Sequence, residues 1–133
     1  MTIRRATEAD LAAIAAIQRS SPEAGSWAPL DYPAYVAIHQ EDVAGFIVTR
    51  ETAPGECEIL NLAVAPYYRR QGIGKRLVQH VVQSMQARWF LEVRESNVAA
   101  IALYKLLGFK PVGRRENYYN APPEAAIVMS FFS

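Results

Sequence analysis

The first quarter of the chain has its hydrophobic residues at helical rather than alternating positions. After a short strand expected over 2–5, apolar residues recur every three or four positions, which predicts a helix over 8–19. Thr7, with Asp10 three residues later, is typical of the polar cap at which such a helix begins. The pattern also predicts a second, short helix over 30–37, just after a proline.

The next part of the chain is rich in β-forming residues and contains the polar turn of a hairpin. An apolar run over 35–39, a polar turn at 40–42 and a second run over 43–49 predict two antiparallel strands. A Pro-Gly turn then leads into a further strand, CEILNLAVAP, which Pro66 ends because proline cannot continue a strand ladder. This part of the chain therefore predicts several neighbouring strands of one sheet.

Helices and strands alternate in the second half of the chain. The predicted elements are a helix over 72–85, a strand over 89–94, a helix over 98–107 and two closing strands over 109–119 and 125–132. Ser96 or Asn97 caps the second of these helices, and Gly108 closes it. Because a hairpin is mixed with crossover helices, we expect a single α/β or α+β domain over residues 1–133, with a sheet that is parallel around 57–94 and antiparallel elsewhere.

Composition and charge narrow the classes of function. The chain has 14 lysines and arginines against 13 acidic residues, which is too small a basic excess for a dedicated nucleic-acid binder. No apolar run approaches the ~20 residues that span a bilayer, and the single cysteine, Cys57, excludes an internal disulfide. His39 and His80 lack the spacing of a metal site. We therefore expect a cytoplasmic protein, a monomer or weak dimer, with no nucleic-acid, membrane or metal partner.

A basic turn that contains two glycines separates the strand ending at Pro66 from the next helix. Its sequence, RRQGIGK over 69–75, permits a positive φ and a close approach of a ligand to the backbone. The unpaired N–H groups at the start of a helix, with several cations beside them, form an anion site. The turn therefore predicts binding of a phosphate or pyrophosphate, and the alternative is a basic helix start with no ligand.

Two common phosphate-binding fingerprints do not fit this turn. In the P-loop pattern, Arg69 stands at the first glycine position and Arg76 at the Ser/Thr position. In the dinucleotide pattern, Leu77 stands where the third glycine is required. A nucleotide-binding domain of either class is therefore disfavoured.

The string RRQGIG after an apolar strand resembles the (Q/R)xxGx(G/A) pyrophosphate loop of the GCN5-related N-acetyltransferases (GNAT). Two longer stretches closely resemble the RimI-type protein N-terminal acetyltransferases of that superfamily: NLAVAPYYRRQGIG at 61–74 and LEVRESNVAAIALYKLLGF at 91–109. With the tyrosine pair at 118–119 and the closing strand, the resemblance covers most of the chain. It implies the GNAT fold, a mixed central sheet with a splayed parallel strand pair, flanked by helices.

The resemblance implies an enzyme that transfers the acetyl group of acetyl-CoA to a primary amine. In the RimI family the acceptor is the N-terminal α-amine of a protein, typically the N-terminal alanine of a small-subunit ribosomal protein. A small-molecule amine as acceptor stays open, because the same fold serves both kinds of substrate. A non-catalytic acyl-CoA-binding module is a weaker alternative, since a pure binder needs neither Glu92 nor Tyr104.

The resemblance also assigns residues to the cofactor. Backbone groups of Leu62, Ala63 and Val64 are expected to bond the pantetheine arm in the manner of an added strand. The residues expected to hold the pyrophosphate are Arg69, Arg70, Gln71, Gly72, Ile73, Gly74 and Lys75. Asn97 matches the family asparagine that contacts coenzyme A, and its alternative role is a plain helix cap.

Two residues match the catalytic positions of the family. Glu92, in the otherwise apolar string WFLEV, is expected to act as a general base, directly or through water, and the alternative is a solvated carboxylate. Tyr104 is expected to protonate the departing thiolate of coenzyme A, and the alternative is an aromatic residue of the core. With ordinary pKa values of ~10 for a phenol and ~8.5 for a thiol, that transfer is uphill by about 2 kcal/mol.

Three aromatic residues are expected at the acceptor end of the cleft. Trp27, in the string SPEAGSWAPLDY, and Tyr118 and Tyr119, between the last two strands, match loops that flank the acceptor in the family. The alternative is that Trp27 and one tyrosine cap the core. The chain departs from the family pattern here, because the Phe-Pro-Trp order is missing around Trp27, and Ala125 replaces the acidic residue usually found beside Glu124. These differences bear on the acceptor and leave the cofactor slot unchanged.

Overall fold

A mixed sheet forms the centre of the structure, a computed structural model that describes residues 1–21, 31–120 and 122–133. Its strands are β1 (Thr2–Arg5), β2 (Ala34–His39), β3 (Asp42–Ala53), β4 (Glu56–Val64), β5 (Arg88–Arg94), β6 (Lys110–Tyr119) and β7 (Glu124–Phe132). The helices in these ranges are α1 (Leu11–Arg19), α2 (Ile73–Ser84) and α3 (Val98–Leu106), with 3-10 turns at Glu8–Asp10 and Pro66–Tyr68. The strand order is β1-β2-β3-β4-β5-β7-β6, and every neighbouring pair is antiparallel except β4 with β5.

The parallel strands β4 and β5 separate halfway along their length. They pair from Glu56 opposite Arg88 to Ile59 opposite Leu91, and the register between them ends there. Both strands continue past this point, so their carboxyl-terminal halves leave an open slot. The splayed parallel pair expected from the family resemblance is confirmed.

A bulge in β4 marks the point of separation. In the ladder with β3, Thr49 lies opposite Ile59 and Val48 lies opposite Asn61, so that Leu60 is an extra residue on β4. A bulge bends its strand and increases the local twist. Here it follows directly after the last residue of β4 that pairs with β5, and it therefore directs the rest of β4 away from its neighbour.

Two apolar cores hold the helices against the sheet. α2 contributes the buried stripe of Leu77, Val78 and Val81 to one core, which also contains buried residues of β4, β5 and β7. α1 contributes Ile14 and Ile17 to the other core, which it shares with β2 and β3. Of the helices in the described ranges, none is long and apolar enough to cross a membrane.

The helix predicted over 30–37 is wrong, because Ala34–His39 forms strand β2. β2 lies between β1 and β3 and pairs with both of them. Two flanking ladders satisfy its backbone on both edges, and Val36 and Ala37 are completely buried. This non-local pairing outweighs the weak local helical pattern. The other predicted helices and strands are present, with small differences at their ends.

The start of α1 confirms the capping pattern seen in the sequence. A 3-10 turn, Glu8–Asp10, precedes the α-helix, and the Thr7 N–H donates to Asp10 Oδ2 at 2.8 Å. Asp10 is buried and accepts two further bonds from the Arg4 guanidinium, at 2.8 and 3.0 Å. These hydrogen bonds, above all those from Arg4, hold the pKa of the Asp10 carboxyl below its usual range.

We expect Asp10→Asn to destabilise the protein at neutral pH by about 1–2 kcal/mol, or roughly 3–8 °C in Tm. Since the pKa of Asp10 is lower in the folded than in the unfolded chain, its stabilisation is complete above the unfolded value of ~3.9 and is lost as the pH falls through the folded value. Thermal unfolding followed by circular dichroism should therefore show a gap in Tm between wild type and variant that narrows as the pH falls below the unfolded value of ~3.9.

The matched control is Glu8→Gln, which removes an exposed carboxylate from the same turn. We expect its Tm to stay within about 1 °C of the wild type at neutral pH, as for most surface changes. A gap for Asp10→Asn that keeps its full size in acid would contradict the ionic role of Asp10.

Candidate active site

A cleft of about 1040 Å³ opens where β4 and β5 separate. Its walls include the ends of both strands, the turn before α2, the first turns of α2 and α3, and the end of β6. The sequence-predicted residues that line it are Leu62, Ala63, Val64, Arg69, Arg70, Gly72, Ile73, Gly74, Lys75, Glu92, Asn97, Tyr104, Tyr118 and Tyr119. Gln71 is exposed and does not line the cleft, and Trp27 lies outside the described residues.

The turn before α2 has the backbone conformation that glycine permits. Gly72 caps the helix with φ 77° and ψ 14°, in the left-handed region, and Arg70 has φ 65°. Gly72 has no side chain with which to cap α2, and the first N–H groups of a helix lack an intrahelical partner, so these donors lie at the edge of the cleft. Arg70 and Lys75 line the cleft, and neither has a salt bridge within the described ranges. Backbone donors and cations therefore converge on this end of the cleft.

Among the residues that the structure describes, Arg69 is the cation of this turn that has hydrogen-bond partners in the protein. Its guanidinium donates to the carbonyl oxygen of Val64 at 3.2 Å, to that of Ser20 at 3.2 Å and to Ser21 Oγ at 2.9 Å. Arg69 thus joins the end of α1 to the end of β4. Its predicted contact with a pyrophosphate stays a prediction, and these bonds give the side chain a structural role as well.

The edge of β4 that faces the slot is open to a ligand. Beyond Ile59 this edge has no ladder partner on β5, whereas the opposite edge stays paired with β3 as far as Val64. Backbone groups on such an edge accept an extended ligand as an added strand. The start of α2 lies close to this edge of β4 and to α3. A Cβ on Gly74 would lie 3.7 Å from the Val64 side chain of β4 and 3.6 Å from the Leu103 side chain of α3.

Asn97 caps α3, and its side-chain oxygen accepts a bond from the Ala100 N–H at 3.2 Å. The helix-cap role proposed for it is confirmed. Asn97 also lines the cleft. Its contact with coenzyme A stays a prediction, and both roles fit one side chain.

Tyr104 lies on α3, is 7% exposed and belongs to the core beside α2. Its ring contacts Phe109 edge-on, with ring centroids 5.6 Å apart, while the residue also lines the cleft. Burial, with a smaller effect of Tyr119, raises the pKa of the Tyr104 phenol above its usual range. The side chain therefore packs as a core residue and presents a hydroxyl that keeps its proton.

Glu92 lies on β5, one residue beyond the last pair with β4. Its Oε1 accepts a hydrogen bond from Arg115 Nη1 of β6 at 2.8 Å. Its Oε2 is buried and has no hydrogen-bond partner among the described residues. One carboxylate oxygen is thus held by Arg115, and the other is buried without a hydrogen-bond partner among the described residues, although the residue itself lines the cleft.

The tyrosine pair at the end of β6 lies beside Glu92. The Tyr119 hydroxyl donates to the backbone oxygen of Glu92 at 3.3 Å, and burial is the main cause that raises the pKa of Tyr119 to about 12. The Arg94 guanidinium lies over the Tyr119 ring at 4.4 Å from its centroid and pairs with Glu124 at 3.2 Å. Tyr118 is 42% exposed, as a residue that contacts an acceptor would be.

Sequence reasoning missed several charged residues around the cleft, in particular Arg115, Arg94 and Glu58. Glu58 lines the cleft on β4 and pairs with Arg50 of β3 at 2.6 Å. No local signal marks these residues, because each acts across strands that are distant in sequence. Within the described ranges there is no group of three His, Cys, Asp or Glu side chains that could hold a metal ion.

A parallel strand pair that splays at a bulge, followed by a glycine turn and a helix, defines the fold class of the N-acetyltransferases. The chain belongs to the acetyltransferase (GNAT) family, which matches residues 7–109. The fold class expected from the sequence is confirmed.

Curated relatives agree with this assignment. The [ribosomal protein bS18]-alanine N-acetyltransferase of Escherichia coli (strain K12) is 42% identical over 94 residues, which cover 66% of this chain and 63% of the relative. The N-alpha-acetyltransferase RimI of Mycobacterium tuberculosis is 38% identical over 87 residues, which cover 65% of this chain and 55% of the relative. The chain thus spans less than two thirds of the length of these relatives in the alignments.

Solved structures extend the likeness over nearly the whole chain. The crystal structure of the ribosomal-protein-S18-alanine N-acetyltransferase from Escherichia coli has a TM-score of 0.85 and 33% identity, covering 98% of this chain and 92% of that one. Arabidopsis thaliana NAA60 in complex with acetyl-CoA has a TM-score of 0.86 at 22% identity, covering 98% and 97%. The second likeness concerns the fold alone.

We expect Gly72→Val to abolish coenzyme A binding, because a Cβ at the helix start would intrude where an anion meets the backbone N–H groups. Gly55 offers a matched control, since it has φ 76°, Gly72 has φ 77°, and a Cβ at either site meets nothing within 4 Å. Both valine variants should lose about 1–2 kcal/mol of stability from the left-handed conformation. Calorimetry should show an affinity loss of about 100-fold or more for Gly72→Val, and wild-type affinity for Gly55→Val.

Equal coenzyme A affinity in the two folded variants would contradict the assignment of this turn. Gly74→Val gives an independent check, because its side chain would project between α2, α3 and the end of β4. We expect it to lose coenzyme A affinity too.

Proposed function

We propose that this protein transfers the acetyl group of acetyl-CoA to a primary amine, and that the amine is the N-terminal α-amine of a protein. The observation that carries the proposal is the position of Glu92 and Tyr104 on one cleft, which also includes the basic turn before α2. A carboxylate with an unpartnered oxygen and a phenol that keeps its proton are the base and the acid that amine acetylation requires.

The chain offers groups that fit the pantetheine arm and the pyrophosphate of acetyl-CoA. The open edge of β4 suits the amide groups of a pantetheine arm, and the start of α2 with Arg70 and Lys75 suits a pyrophosphate. When bound, acetyl-CoA supplies an acetyl thioester, whose carbonyl carbon accepts the attacking amine. These features support a slot for one extended, anionic cosubstrate.

Glu92 serves the acceptor amine, which must lose a proton before it attacks. At neutral pH an α-amine with a pKa of ~8 is roughly one tenth neutral, whereas a lysine amine with a pKa of ~10.4 is well under one thousandth neutral. The Glu92 carboxylate accepts that proton directly or through a water molecule. A single carboxylate base therefore suits an α-amine better than a lysine.

Tyr104 serves the leaving group. Its hydroxyl donates a hydrogen bond to the departing sulfur and supplies the proton as the thiolate leaves. The buried position that raises the pKa of the Tyr104 phenol also disfavours a free thiolate. Donor and acceptor are thus shifted in the same direction.

The proposed acceptor rests on the relatives and on the end of β6. Two relatives carry names that specify protein N-terminal or ribosomal-protein alanine acetylation, and one of them is similar in structure over nearly all of this chain. Tyr118 and Tyr119 provide aromatic surface beside Glu92 for the first residues of a peptide. Trp27 belongs to the same proposal by family resemblance. A ribosomal-protein acceptor supports a cytoplasmic location.

We expect the protein to acetylate a peptide that begins with alanine and to leave internal lysines nearly unmodified. This is tested by mass spectrometry after incubation of the protein with acetyl-CoA and a panel of possible acceptors. The panel contains N-terminal peptides, lysine peptides with blocked N-termini, and small amines. Tyr119→Ala should raise KM for the peptide far more than KM for acetyl-CoA. Good turnover of small amines with no turnover of N-terminal peptides would reject the protein acceptor and keep the acetyltransferase.

We expect Tyr104→Phe to lower turnover by about 10- to 10⁴-fold, with near-normal Tm and coenzyme A affinity, because it removes the proton and keeps the ring. Steady-state kinetics, thermal unfolding and calorimetry together check this. Tyr35→Phe is the matched control, since Tyr35 is a partly buried tyrosine of the same core that does not line the cleft. Unchanged turnover in Tyr104→Phe would show that Tyr104 is a packing residue.

A further inference from the structure

We propose that Arg115 is the positioning residue for Glu92: by holding Oε1, it fixes the orientation of the carboxylate beside the cleft. This inference rests on the proposed function and adds to it a residue from β6. The bond from Arg115 Nη1 to Glu92 Oε1 is 2.8 Å long, and Glu92 Oε2 is buried with no partner among the described residues. The guanidinium therefore holds one oxygen of the carboxylate and restricts the rotation of the group.

The fold places Arg115 to reach Glu92 across an intervening strand. Through the ladders of β7, Arg115 is opposite Ala126, and Ala126 is opposite Arg94. Glu92 lies two residues before Arg94 on β5, and side chains two apart on a strand share a face. Arg115 thus extends diagonally over β7, where the small side chain of Ala126 leaves room above the sheet.

A bulge in β6 adds a second support for the guanidinium. Between Arg115 opposite Ala126 and Tyr119 opposite Glu124, three residues of β6 face a single residue of β7. Within this bulge Asn117 has φ 51°, and Tyr118 is placed so that the Arg115 guanidinium lies 4.1 Å from its ring centroid. Arg115 is therefore fixed between the carboxylate of Glu92 and an aromatic face, which also connects it with the proposed acceptor residue.

Neighbouring arginines do not duplicate this contact. Arg94 pairs with Glu124 and donates to the backbone oxygens of Pro122 and Asn120, at 3.2 and 3.4 Å. Arg114 pairs with Glu95, at 2.8 Å, and with Glu116. Among the described residues, Arg115 is thus the arginine that bonds the Glu92 carboxylate.

The contact between Arg115 and Glu92 is too exposed on the arginine side for its main role to be stabilisation of the fold. The Arg115 side chain is 55% exposed, against 18% for that of Glu92, so solvent screens the pair on the arginine side and limits its contribution to the free energy of unfolding. A change at Arg115 should therefore leave the fold intact. Its effect should appear in turnover, through the orientation of Glu92.

The test compares Arg115→Gln, Arg115→Lys and the matched control Arg114→Gln in steady-state kinetics with saturating acetyl-CoA and a peptide that begins with alanine. We expect Arg115→Gln to lower kcat by about 10- to 100-fold, with KM for acetyl-CoA within about twofold and Tm within about 2 °C. Arg115→Lys should retain part of the kcat that Arg115→Gln loses, since lysine keeps a charged donor group but lacks the planar fork of the guanidinium. Arg114→Gln should match the wild type in every readout.

A double variant separates positioning of Glu92 from direct binding of the acceptor. If Arg115 acts through Glu92, Glu92→Gln with Arg115→Gln should be no slower than Glu92→Gln alone. The positioning role would be overturned if Arg115→Gln lowered kcat by the same factor in the Glu92→Gln background as in the wild type. A normal kcat in Arg115→Gln would also overturn it. In both cases the proposed function would stand, because the wild type and Arg114→Gln are active. Inactivity of the wild type toward every amine would overturn both proposals.

Discussion

The separation of β4 from β5 is the constraint on which the rest of the site depends. A continuous parallel ladder would use every backbone donor and acceptor of both strands, and no slot would exist. The extra residue at Leu60 ends the pairing after Ile59, and two apolar cores keep the diverging strands in place. The fold therefore retains a row of backbone groups that a ligand or water must satisfy, since an unmade buried hydrogen bond costs about 1–3 kcal/mol.

The two ends of the slot differ in charge because different elements form them. β4 runs directly into the turn at Gly72, so the backbone donors of α2 and the neighbouring cations lie at the end of the open edge. β5 carries Glu92 just past the separation, and β6 adds an arginine from the other side of β7. In the proposed function, one strand thus binds the cosubstrate along its backbone, and the other carries the carboxylate base. This division explains why the cofactor end is the more recognisable of the two in the sequence.

Local chemistry made the cofactor end predictable. A strand that stops at a proline, a left-handed glycine and a cationic helix start are all encoded within a few consecutive residues, and Glu92 and Tyr104 lie in long family-like stretches. The helix predicted over 30–37 was wrong, and the overlapping strand predicted over 35–39 was right, because the ladders with β1 and β3 that decide between them are not specified by the local residues. The contact between Arg115 and Glu92 was missed for a related reason, since it requires β7 to lie between β5 and β6 although it follows both in sequence.

The irregular shape of β6 also affects how the protein behaves in solution. β6 is the last strand of the sheet, with nearly all of its residues exposed, and a strand in that position is a template on which a second chain can add and start aggregation. Two breaks in its register and Pro111 interrupt its regular hydrogen-bonding edge, and its charged side chains disfavour stacking against another copy. We therefore expect the bulge beside Glu92 to hinder pairing of this edge with a second chain, so that straightening β6 would lower solubility and also alter the end of the cleft at Tyr118.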